Sequence, residues 1–274
     1  MVSLLSLSSV SFTIDSFAPA QIIMLRNSLA VAGKEKRPIK RLYWGGLTLM
    51  TALSLLTSRR AIAVSDYARK ALTFGLGERF KNKVTVIHHG VSKIFVSDNT
   101  VSRKNYLLAV SDIYVQKNLH TLIQALSKIR ENFPDIILKI AGKAIDEGYL
   151  QELRIALDQA HLNDAVEFLG EKKSDELLKL YQECKLFIFP STVETFGNPL
   201  VEAMACGVPV VAPRRGTYSE MIERTGGGVL VSISGGVCFC KRNRLFCFGI
   251  FSNRIRPSIS NINSIIRSNS NVMT

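Results

Sequence analysis

Much that would mark a secreted, fibrous or membrane-spanning chain is scarce here. With 18 glycines and 8 prolines in 274 residues, collagen-like and low-complexity architectures are excluded. Cysteine is sparse and odd in number (Cys184, Cys206, Cys238, Cys240, Cys247), which argues against a disulfide scaffold and for a reducing compartment. The Cys238-x-Cys240 pair has no nearby histidine and so lacks a zinc spacing. The apolar opening, Met1–Phe12, has neither a basic start nor a small-residue cleavage site, so it does not read as a signal peptide. Leu42–Ser58 carries no charge but is short for a membrane span and contains Gly45-Gly46, which points to a buried or interfacial helix. No Asp-x-Asp pair occurs, so no metal site is expected.

Acidic residues are also missing in one place. The net charge of +13 is concentrated at the ends: residues 1–60 hold eight basic and two acidic groups, and residues 237–274 hold six basic and none acidic. The middle is nearly neutral. Neither end interleaves aromatics with regularly spaced cations, so no nucleic-acid partner is expected. Lys34, Lys36, Arg37, Lys40 and Arg41 ahead of the apolar helix fit a peripheral contact with an anionic membrane, or simply a solvated loop.

What is present is a strict alternation of short apolar runs and helical stripes. Tyr106–Val110, Ile136–Ala141, Val166–Leu169, Leu186–Phe189 and Val208–Ala212 read as strands. Between them run helices through Leu119–Ile129, through Leu150, Leu153, Ile155 and Leu157, through Leu177–Tyr181, and over Pro199–Cys206. Strands that are apolar throughout are covered on both faces, so the expected architecture is α/β with a Rossmann-type parallel sheet. Upstream, Gln21–Leu25, Ala61–Val64 and Val84–His88 read as three further strands, with helices near 40–58 and 66–74. The polar run between Phe95 and Asn105 reads as a linker. The expected domains are 1–97, partial; 98–236, ligand-binding and incomplete at its C-terminal end; and a basic, disordered tail over 237–274.

The segment Glu194-Thr195-Phe196-Gly197-Asn198-Pro199 through Glu202 leads from a buried strand through a polar loop into a helix that opens near a proline. Helix-start N–H groups, with Gly197 allowing close approach, suit an anion. Two carboxylates eight residues apart suit a hydroxyl-rich ligand, although the spacing alone equally fits two solvated side chains. Gly142 and Gly170 each end a strand, where a backbone can approach a ligand closely.

This segment, ETFGNPLVEAMACGVPVVA, resembles the E-x7-E signature of the retaining family-4 (group 1) glycosyltransferases of GT-B fold. The residues around 106–126, 140–142 and 166–190 resemble that family's donor domain, and 61–67 and 86–91 the end of its acceptor domain. The resemblance implies that Glu202 holds ribose hydroxyls and Glu194 the transferred sugar, with Thr195, Phe196, Gly197 and Asn198 contacting sugar and phosphates through the backbone. It implies that Lys117, beside the 197–199 backbone, meets the diphosphate. Asp112 stands where the family has an arginine. Glu171 and Lys172 would meet the base, mainly through main chain, and His88 and His89 would mark the domain crossover with no acid–base role. The implied activity is hexosyl transfer from a nucleoside-diphosphate sugar to a cell-surface glycan or lipid-linked acceptor, without metal or other cofactor, on the cytoplasmic side. The chain reads as truncated at both ends, so the alternative is an inactive remnant that binds a nucleotide sugar or a partner.

Overall fold

A computed structural model describes residues 22–25, 38–73, 80 and 82–231. The apolar opening, Lys34, Lys36 and Arg37, the 237–274 tail and its three cysteines lie outside them. Two compact units emerge: the first runs to His89 and includes Val193–Phe196, and the second takes Gly90–Thr192 and resumes at Gly197.

The first unit carries a parallel sheet of β1 (Ile22–Leu25), β2 (Arg60–Ala63) and β3 (Val84–Val86) in that order. Helix α1 (Pro38–Thr57) links β1 to β2, and α2 (Asp66–Leu72) links β2 to β3. Ser65 starts α2 because its hydroxyl accepts from the Ala68 N–H, with Asp66 in the first turn and Arg69 and Lys70 in the last, matching the helix dipole. Along α1, Leu42, Leu49, Leu53 and Leu56 are exposed. Among the described residues no helix is long and apolar enough to cross a membrane.

The second unit contains six parallel strands: β4 (Tyr106–Val110), β5 (Ile137–Ala141), β6 (Val166–Gly170), β7 (Leu186–Ile188), β8 (Val210–Pro213) and β9 (Gly228–Val231). Their spatial order is β6-β5-β4-β7-β8-β9. The crossovers are α3 (Leu119–Arg130), α4 (Glu147–Gln159), α5 (Ser174–Glu183), α6 (Asn198–Ala205) and α7 (Thr217–Thr225). Every residue of β4, β7 and β8 is buried, as doubly covered strands require. Leu122 and Leu126 of α3 and Leu153 of α4 pack in one cluster with Leu107, Leu138 and Ile140.

The structure differs from the sequence reading at several points. Ile155 is 47% exposed whereas Leu153 is 1% exposed. At 100° per residue, a position two away from Leu153 faces the opposite side of the helix. The α7–β9 pair is an additional α/β element after β8, and it encloses Tyr218, Met221 and Ile222. The polar run from Phe95 is fastened to the second unit. Phe95 packs edge-on against Tyr181 at 5.7 Å, and Arg103 donates to the carbonyls of Cys184 and Gly207, both at 2.8 Å.

Candidate functional site

Strands β5 and β6 add to one side of β4, and β7 to β9 to the other, so the sheet changes direction of growth between β4 and β7. Ligands of such sheets sit beyond the carboxyl ends of the strands at that point. Two loops meet there. The one after β4 passes through Asp112 and Tyr114 into a short 3-10 turn, Val115–Lys117, and then Asn118. The one after β7 runs through Phe189, Pro190, Ser191 and Thr192.

They are knitted together by hydrogen bonds. The Thr192 N–H and hydroxyl both donate to the Gln116 carbonyl, at 2.9 and 3.1 Å. The Asn118 carboxamide donates to the Pro190 carbonyl at 3.2 Å and accepts from the Thr121 hydroxyl at 2.8 Å. Asn118 is 5% exposed with φ 56°, a left-handed conformation that asparagine tolerates better than most residues. The Tyr218 hydroxyl donates to the Ser191 carbonyl at 3.1 Å.

This scaffold sets Lys117. Its ammonium lies 5.3 Å from the Tyr114 ring centroid and 5.9 Å from that of Phe189, within cation–π range of both. The Phe189 ring also backs Gly197: with φ 88°, a Cβ at that glycine would lie 3.3 Å from the ring and 3.5 Å from Tyr218. Lys117 and the start of α6 are therefore held against one aromatic ring. Asn198 and Pro199 form the first turn of α6, after the left-handed Gly197. At the end of β4, the buried Ser111 hydroxyl has no hydrogen-bond partner among the described residues. An orphaned hydroxyl at a sheet's ligand edge is a group that a bound polar molecule can satisfy.

Glu202 lies one turn into α6 and accepts from the Tyr181 hydroxyl at 2.9 Å. Burial raises the Glu202 carboxyl above its ordinary value, and the tyrosine hydrogen bond opposes that rise. Burial, reinforced by the neighbouring carboxylate, holds the Tyr181 phenol well above its usual 10. Cys184 and Cys206 are buried free thiols; burial pushes Cys206 up to about 12, which leaves it inert as a nucleophile at neutral pH.

Gly142, at the end of β5 with φ 153°, is constrained by protein rather than by open space: a Cβ there would run into the Ser111 carbonyl. Asp112 accepts from the Lys143 N–H at 3.2 Å, closing the β4 and β5 loops onto each other. Gly170 has φ 68° with nothing near its Cβ position, and it and Glu171 are exposed at the end of strand β6.

Glu194, Thr195 and Phe196 belong to the first unit. There the fully buried Ser65 donates its hydroxyl to the Thr195 carbonyl at 2.6 Å, and His89 stacks on Phe196 at 5.0 Å, with His88 tilted at 6.1 Å. Lys117, Gly197 and Glu202 belong to the second unit. Three contributors escaped the sequence reading: Ser111 and Asn118, which it does not single out, and Tyr181, which it places only on a helix. A buried tyrosine on a helix stripe is the only advance signal any of them gave. Among the described residues no three His, Cys, Asp or Glu side chains cluster as metal ligands.

The family described as glycosyl transferases group 1 matches residues 91–234. An uncharacterized glycosyltransferase of Methanocaldococcus jannaschii is 31% identical over 173 residues, covering 63% of this chain and 45% of the relative. The O-antigen chain mannosyltransferase of Salmonella typhimurium is 31% identical over 151 residues, covering 55% and 40%. The chain thus spans less than half the length of these two relatives. In structure, Anabaena HepE, solved with UDP and glucose, superposes with a TM-score of 0.71 at 21% identity, covering 93% of this chain and 71% of that one. The fold is α/β of GT-B type. With more than half of the chain matched, including both loops of the β4–β7 switch point, this chain belongs to the group 1 glycosyl transferases.

Proposed function

We propose that this chain binds a nucleoside-diphosphate sugar at the carboxyl edge of its six-stranded sheet. From there it serves the transfer of a hexosyl unit, with retention, to a glycan or lipid-linked acceptor in cell-surface glycan assembly. The observation that carries this reading is the shared Phe189 platform, which keeps the Lys117 ammonium and the Gly197-led start of α6 at the β4–β7 switch point. A cation and a helix N-terminus converging there suit a diphosphate. When the bond between the sugar carbon and the β-phosphate oxygen breaks, the electron pair passes to the phosphate. Lys117 and the 197–199 backbone stabilise the charge where it develops.

Glu202 accepts from the ribose hydroxyls, and Glu194 from those of the sugar, beside the backbone of Thr195, Phe196, Gly197 and Asn198. Glu171 and Lys172 meet the base mainly through main chain next to Gly170, while Gly142 keeps the β4 and β5 loops close. The names of the Salmonella relative and the Anabaena complex support a hexose and a uridine nucleotide.

Calorimetry with UDP and GDP tests the assignment. Lys117→Ala should weaken the diphosphate about tenfold while sparing the nucleoside, and Glu202→Ala should weaken both. Unchanged affinity in both variants would refute the site. Binding without transfer or donor hydrolysis would favour the binding-only alternative.

The exposed Leu42, Leu49, Leu53 and Leu56 of α1 support the further reading of a peripheral contact with an anionic bilayer on the cytoplasmic side. Flotation with phosphatidylserine vesicles should recover the wild type and lose a Leu49→Asp, Leu53→Asp variant. Equal recovery of both would remove α1 from membrane contact.

A further inference from the structure

Tyr181 combines features that packing alone does not explain. Its ring is fully buried on α5, edge-on to Phe187 at 5.5 Å and to Phe95 at 5.7 Å, so the side chain is fixed by aromatic neighbours. The end of α5 is fastened as well, since the Cys184 thiol donates to the Tyr181 carbonyl at 3.3 Å. Phenylalanine would satisfy all of that packing. The hydroxyl instead reaches a carboxylate on a neighbouring helix, donating to Glu202 Oε2 at 2.9 Å.

A phenol has one proton to donate, and this one goes to Oε2. Glu202 Oε1 and the remaining lone pair of Oε2 stay available as acceptors. A glutamate has three rotatable side-chain bonds, and fixing one oxygen removes most of the freedom that binding a ligand would otherwise have to freeze. We propose that Tyr181 is a positioning residue that aims the Glu202 carboxylate at the vicinal hydroxyls of a ribose, and so sets how strongly the site prefers ribonucleotides to deoxyribonucleotides. The proposal rests on the reading of Glu202 as the ribose-binding carboxylate. A freely rotating carboxylate can also reach a single remaining hydroxyl. A pinned one is matched to the pair and discriminates more strongly, because loss of one hydroxyl leaves a fixed acceptor unpaired.

The test uses the full chain and calorimetry with UDP, 2′-deoxy-UDP and 3′-deoxy-UDP, with the GDP series in parallel. Wild type should prefer the ribonucleotide about tenfold over each deoxy form. Tyr181→Phe keeps the ring, and should lower that preference to about twofold to threefold by weakening the ribonucleotide, with little change for the deoxy forms. Glu202→Ala should abolish the preference, and adding Tyr181→Phe to it should change nothing more, because the tyrosine acts only through the carboxylate. A purely structural tyrosine would weaken all three nucleotides alike and would act equally in the Glu202→Ala background; either result overturns the proposal. If Glu202→Ala abolishes the preference while Tyr181→Phe retains it in full, Tyr181 has no positioning role and the ribose assignment stands. If wild type shows no preference, or binds none of the nucleotides, the ribose assignment fails and the proposal with it.

Discussion

Asn118 binds the Pro190 carbonyl across 72 residues of sequence, and in doing so holds the turn that carries Lys117 against the loop that leads to α6. The bond is buried, and the residue making it occupies a left-handed conformation. Asn118→Ala therefore loses both the carboxamide and the conformational tolerance, and should cost about 2 kcal/mol of stability. Asn118→Gly keeps only the second. Both variants should weaken UDP relative to uridine, by about fivefold. Urea denaturation and calorimetry on the pair separate the two contributions: glycine should recover only the conformational part of the lost stability, and none of the diphosphate affinity.

Glu202 sets stability against binding. Burial raises its carboxyl in the folded state, so its proton favours folding, and that stabilisation is lost as pH rises through the raised value. Glu202→Gln removes the cost of burying the charge and can still accept from Tyr181. Its melting temperature should exceed that of wild type by on the order of 2 °C at pH 8, with the gap closing toward pH 4. Nucleotide affinity should fall in the same variant, because an amide accepts through one atom only. A constant gap across that range, read by thermal melts, would contradict the raised carboxyl.

Gly142 admits no side chain. Its φ of 153° and the Ser111 carbonyl at its Cβ position mean that Gly142→Ala must pry the β4 and β5 loops apart. A loss of about 3 kcal/mol is expected in urea denaturation, with the neighbouring Asp112–Lys143 contact disrupted as well.

Leu153 and Ile155 should behave in opposite ways. Leu153→Ala opens a cavity in the central cluster and should cost about 2–5 kcal/mol. Ile155→Ala, on the exposed face, should stay within about 0.5 kcal/mol. Chemical denaturation of the two variants reads the difference directly.

The sheet could be read before folding because β4, β7 and β8 are apolar at every position, and the helices between them carry stripes at 3.6-residue spacing. Gly197 and Glu202 stood out locally as a glycine near a proline and a carboxylate one turn into a helix, but the roles of Glu202 and Lys117 came from the family resemblance rather than from their spacing. Their supports were not legible. Tyr181 meets Glu202 across 21 residues, Asn118 meets Pro190 across 72, and Tyr218 meets Ser191 across 27. Periodicity within one element carries no information about such pairings. Ile155 misled because an apolar residue next to a stripe looks like part of it until the angle is counted.

The acid at position 112 acts first on architecture, through the Lys143 N–H, but its charge has a further effect. Residues 111–118 contain one anion, Asp112, and one cation, Lys117, so the loop as a whole is neutral. Dissolved ions then screen an attraction and a repulsion together. Nucleotide capture by this loop should therefore fall less steeply with ionic strength than it would at a loop bearing two cations.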